Sequence, residues 1–205
     1  MPDLKGKEEM KMKRTQKIHT MALAALLIAV GVVIPAVMPI KVVIPPASFT
    51  LASHVAIMLA MFVSPFVAII VALGTALGFL LGGFPLAVVL RSVYHVVWAG
   101  LGAWYLKQHP TLFTGLKKSI LFIAAIALLH AICEVLIILP LYFGHALPEA
   151  NYTQGFMYSI FLLVGVGTVV HSSVDFALSL AVWKVLVRSG SVRSISHVKD
   201  VAFRA

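Results

Sequence analysis

Residues 85–106 read PLAVVLRSVYHVVWAGLGAWYL, an apolar run of membrane-spanning length with an arginine inside it. A charge within a membrane helix costs at least about 2.5 kcal/mol, so it faces protein or water and has a partner. Arg91, Tyr94, His95 and Trp98 follow i, i+3, i+4, i+7 spacing and share one helical face. An arginine, an imidazole and two aromatic rings on one stripe make a wall suited to a small anionic or ring-shaped ligand.

Around that run the chain is built for a bilayer. Of its 205 residues 61% are hydrophobic and 11% charged, where a soluble domain carries about 25% charged residues. The pattern predicts an all-α membrane protein with six transmembrane helices near 19–37, 51–63, 66–81, 85–106, 119–142 and 156–187. The first turns of the last run are assigned either to the helix or to the loop before it. The organisation expected is a basic arm at 1–17, a substrate-binding transmembrane domain at 18–188 and a basic tail at 189–205. Pro35 and Pro39 are expected to end the first span. Between the first two spans, 41–50 (KVVIPPASFT) is β-branched and holds a Pro-Pro pair, so it reads as an external loop or a re-entrant cap.

Charge placement sets the expected orientation. Lys5 to Lys17, Lys107, Lys117, Lys118 and the basic residues from Lys184 to Arg204 fall on one side of a six-span layout, against Lys41 on the other. The positive-inside rule then puts both termini in the cytoplasm. The same rule accounts for the net charge of +9, so nucleic acid is not an expected partner. The single cysteine, Cys133, excludes an internal disulfide and reads as a packing residue.

Converting sequence to depth at about 1.5 Å per residue puts Arg91 roughly 9 Å and Trp98 roughly 20 Å below the outer surface. His54 falls near the outer end of its span, and Glu134 in the outer half of the fifth with His130 one turn deeper. Arg91, Tyr94, His95, Trp98, His54, His130 and Glu134 are therefore the candidate substrate-binding residues, with an Arg91–Glu134 ion pair available. His171 falls near mid-membrane, and Asp175 reads as a structural group toward the cytoplasmic side. The pairs His130/Glu134 and His171/Asp175 each put a histidine four residues before a carboxylate. These groups are also conceivable metal ligands. HEXXH is absent, however, and neither metal nor cofactor is expected. The GxSxG and GxxxxGK[ST] patterns are absent too, so neither hydrolase chemistry nor an ATP site is expected.

Small residues mark close helix contacts. Gly74 and Gly78 form one GxxxG pair, and Ala25 and Ala29 form a small-xxx-small pair that fits packing within the chain as well as packing on a partner. With its basic arm, its Ala-rich first span (TMALAALLIAVG, 20–31) and the loop at 41–50, the chain resembles the S components of energy-coupling factor transporters. These are small bacterial membrane proteins that capture vitamins or metal ions. The resemblance implies a plasma-membrane protein, not an enzyme, whose Ala25 and Ala29 dock on a transmembrane T subunit shared with two ATPase subunits. It also implies a substrate site near the outer face under the first loop. Met1-Pro2-Asp3 lacks the early histidine expected of a cobalt or nickel type. Arg91 among histidines suggests a carboxylate. Pantothenate is the substrate favoured; nicotinate, pyridoxine or a pyrimidine precursor are the alternatives. A stand-alone secondary transporter or channel is the rival class.

Overall fold

The computed structural model describes residues 2–44 and 47–202; Met1, the Pro45-Pro46 pair and residues 203–205, including Arg204 of the basic tail, lie outside it. Five long helices bundle around a short buried one. Helix α1 (Pro2–Val37) is a single rod of 36 residues, about 54 Å long against a hydrocarbon core of about 30 Å. The basic arm forms the first half of this helix. Glu8, Glu9, Lys11 and Lys13 are good helix formers, and between Gly6 and Pro35 the chain holds a single further glycine, Gly31, and no proline. Pro35 does not end the helix either. It sits in the last turn, and Met38 N still donates to Ile34 O at 2.9 Å.

The loop expected at 41–50 is an antiparallel pair. Strands β1 (Lys41–Ile44) and β2 (Ala47–Thr50) place Lys41 opposite Thr50 and Ile44 opposite Ala47. The β-branched residues that disfavour a helix there also favour a strand.

Helix α2 (Val55–Val63) has nine residues, all buried, and reaches about 14 Å. It cannot cross a bilayer alone, and it is shorter still than the short second span expected at 51–63. The hairpin and the cavity beneath it occupy the depth that a full helix would fill, and α2 supplies the floor. Helix α3 (Pro65–Leu81) follows at once. Ser64 Oγ accepts from Val67 N at 3.1 Å, and Pro65 takes the first helical position. The GxxxG face of α3 packs on α1: a Cβ on Gly74 would lie 2.5 Å from Ile28 Cδ1, and one on Gly78 would collide with Val32.

Helices α4 (Leu86–Gln108) and α5 (Leu116–Phe143) match the fourth and fifth spans. The sixth starts as a π-helix (Met157–Val166) and continues as α6 (Gly167–Arg188), so its first turns belong to the helix and not to the loop. Among the described residues four helices are long and apolar enough to cross a membrane: α1, α4, α5 and the joined 157–188 helix.

The tail is part of the core. Val192, Val198 and Val201 are buried. His197 N and Val198 N both donate to Phe62 O at 3.1 Å, and Trp183 Nε1 donates to Val198 O at 3.0 Å. The two amide bonds satisfy a carbonyl that the end of α2 leaves without a helical partner, and the indole bond ties the tail to α6. Phe62, Phe113, Phe176 and Trp183 fill the bundle just above, with Phe62 against each of the other three rings at 5.3–5.7 Å. One end of the molecule is therefore solid and aromatic, and the other is hollow.

Candidate functional site

The hollow end holds a cavity of about 350 Å³ roofed by Val43, Ser48, Phe49 and Thr50 of the hairpin. Its floor and walls carry the polar groups of the bundle. Helix α4 contributes Arg91, Ser92 and His95, α5 contributes His130 and Glu134, α6 contributes Thr168 and His171, and His54 stands at the head of α2.

These side chains are cross-linked. Arg91 Nε donates to Glu134 Oε2 in an ion pair with side-chain exposures of 16% and 3%. The other carboxylate oxygen, Oε1, lies 3.4 Å from both His95 Nε2 and His130 Nε2. On the far wall Asp175, fully buried, accepts from Ala52 N at 2.8 Å, from His54 N at 3.0 Å and from His54 Nδ1 at 3.1 Å. Asp175 thus caps the start of α2, meeting amides that a helix leaves unbonded there, and orients the His54 ring. It is the structural group expected, in contact with the head of α2 behind the cavity lining. A half-length α2 brings His54 down to it. Ser53 Oγ joins His171 Nε2 at 3.1 Å, and Ser172 Oγ joins His130 Nδ1 at 3.2 Å.

The arginine stripe divides. Arg91 and His95 face the cavity. Trp98 is wholly buried one layer below, its ring 4.8 Å from that of His130 and 5.5 Å from that of His95. It supports the imidazoles and does not line the cavity. Tyr94 is 42% exposed on the outside of α4, which corrects its place on the binding wall. At about 100° per residue, Val88, Arg91, Ser92 and His95 share an arc whose centre Tyr94 misses by about 110°. The sequence stripe had the right helix with its centre displaced.

Five expected residues, His54, Arg91, His95, His130 and Glu134, meet in the one cavity. Phe49, Thr75, Thr168 and His171 complete it without having been singled out as site residues. The echo of His130/Glu134 in His171/Asp175 was the visible signal for His171; nothing in the sequence marks Thr75 or Thr168. Four cavity atoms, Thr75 Oγ1, His95 Nδ1, His130 Nε2 and Thr168 Oγ1, are buried without a hydrogen bond among the described residues. Buried polar atoms are normally satisfied, so this set points to a polar occupant.

No protein-family model matches the chain, and no solved structure matches it. Over 193 residues it is 36% identical to the niacin transporter NiaX of Lactococcus lactis subsp. cremoris (strain MG1363), covering 94% of this chain and 86% of that one. The chain belongs to the S components of energy-coupling factor vitamin transporters. This S component is a multi-pass protein of the bacterial plasma membrane and is not an enzyme. Ala25 and Ala29, which fit either internal packing or a partner by spacing alone, are both exposed on α1.

Proposed function

We propose that this S component captures nicotinate from outside the cell for an energy-coupling factor importer. The observation that carries the reading is the 36% identity to a niacin transporter along nearly the whole chain. The cavity chemistry supports nicotinate over pantothenate, the substrate favoured from sequence. Nicotinate is a flat, rigid ring bearing one carboxylate and one ring nitrogen. The ring of His54 lies 4.6–5.0 Å from those of His95, His130 and His171, so the cavity is walled by planar groups. Arg91 spends Nε on Glu134, which leaves its two terminal amino groups for a ligand carboxylate. A cavity near the lower end of the usual range of about 300–1,000 Å³ suits a small ligand better than a long flexible one.

The exposed Ala25/Ala29 face of α1 serves as the docking surface for the T subunit, which two ATPase subunits drive. Both termini lie in the cytoplasm by the positive-inside rule, with the hairpin and cavity facing outward. Calorimetry on the purified protein with nicotinate, nicotinamide and pantothenate tests the substrate. Nicotinate is expected to bind at least about tenfold tighter than pantothenate, a gap of roughly 1.4 kcal/mol. Tighter binding of pantothenate would overturn the assignment. Nicotinate uptake into liposomes by this chain alone would overturn the role as a capture subunit.

A further inference from the structure

We propose that the cavity also binds a divalent transition-metal ion on His54, His95 and His130, with an open position that takes the carboxylate of the vitamin. One ring nitrogen from each of these histidines lies within 4.8 Å of the other two. Closing onto an ion at about 2.0–2.1 Å needs these nitrogens to draw together by about an ångström or two. Each imidazole is oriented by a partner at one nitrogen, and Glu134 Oε1 also stands 3.4 Å from His130 Nε2. Asp175 holds His54 Nδ1, Ser172 holds His130 Nδ1, and Glu134 holds His95 Nε2. His130 Nε2 and His95 Nδ1 are buried with no hydrogen bond among the described residues. An outer carboxylate or hydroxyl that orients each ring is how proteins prepare histidine for a metal. A three-imidazole set suits zinc, nickel, cobalt or copper, and not magnesium or calcium.

Charge gives an independent reason. Glu134 stands beside His95 and His130, and Asp175 beside His54, so carboxylates back the three imidazoles and would help hold a cation there. The open position of that ion would take the vitamin's carboxylate alongside Arg91. Only this last step rests on the nicotinate reading; the ion site itself does not.

The test uses the full chain, purified without a polyhistidine tag and stripped with chelator, titrated with Zn²⁺ and separately with Co²⁺. The expected result is one ion per chain, with visible d–d bands for Co²⁺ in a low-symmetry site. His95→Gln and His130→Gln are expected to weaken Zn²⁺ by at least about tenfold, while His19→Ala, on the exposed face of α1, leaves it unchanged. The Co²⁺ spectrum of the unaltered protein decides the question even if a variant fails to fold. Absence of stoichiometric binding, or equal binding by wild type and both glutamine variants, would overturn the site. Nicotinate affinity is then compared in metal-loaded and stripped protein. Tighter binding to the loaded form supports the coupling, and equal affinity overturns it. Failure of nicotinate to bind either form, with Zn²⁺ still bound, would refute the vitamin assignment and leave the ion site standing.

Discussion

Arg91 and Glu134 are each other's partner and stand together at the cavity wall. A buried ion pair contributes little net stability, but removing one member strands the other, at about 3–5 kcal/mol. Arg91→Ala is therefore expected to lower the melting temperature sharply by leaving Glu134 as an unpaired buried carboxylate. Because Arg91 both lines the cavity and pairs with Glu134, this single change lowers affinity and stability together. The double variant Arg91→Met/Glu134→Leu separates the effects. Thermal unfolding should show recovered stability and calorimetry a continued loss of nicotinate. A double variant that binds as wild type would make the pair purely structural. Arg91, His95, His130, His54 and Glu134 were legible because a polar group in an apolar run is conspicuous and helical periodicity aligns such groups. Tyr94 was misplaced because an i+3 neighbour is already offset by about 60°, a sixth of a turn, and the centre of the face depends on what packs beside it.

At the scale of elements, the hairpin and the half-length α2 make the cavity. The roof is held by Phe49, whose ring lies 5.4 Å from that of His171 and rests over Gly167. A Cβ on Gly167 would come within 2.5 Å of Phe49 Cζ, so only glycine lets the roof close at this point. Gly167→Leu is expected to push the hairpin up and speed release of bound nicotinate by about tenfold or more in stopped-flow measurements. Gly165→Ala, where an added Cβ meets nothing closer than 3.6 Å, should release it at the wild-type rate. Equal rates for both variants would mean that the hairpin does not retain the ligand. The strands were hidden in the sequence by their length. Three β-branched or apolar residues in each four-residue strand, on either side of a Pro-Pro pair, argue against a helix, but pairing is a contact between segments and not a property of either.

Across the whole molecule, α1 is the least enclosed of the long helices, with 17% of its apolar window buried against 39% for the other three. Gly74 and Gly78 of α3 take one face of it, and the face bearing Ala25, Leu26, Ala29 and Val33 is left exposed. Small residues there allow a second helix close approach. Ala25→Leu/Ala29→Leu is expected to abolish co-purification with the T subunit while leaving nicotinate affinity at the wild-type value. Retained co-purification would place the docking surface elsewhere.

The amino-acid sequence by itself determined the membrane class, the long apolar helices and the close-packing glycines of α3, because hydropathy, helical period and residue size act locally. It also narrowed the site to polar residues that an apolar chain keeps only with partners. Tertiary structure decided the rest. Helix α2 is half a span because its neighbours and the hairpin fill the remaining depth. Asp175 belongs to the head of α2 because that helix starts deep in the bundle. The tail is core because α2 leaves carbonyls that only a distant segment can reach. Each of these depends on what lies across from a residue, and no window along one chain contains that information.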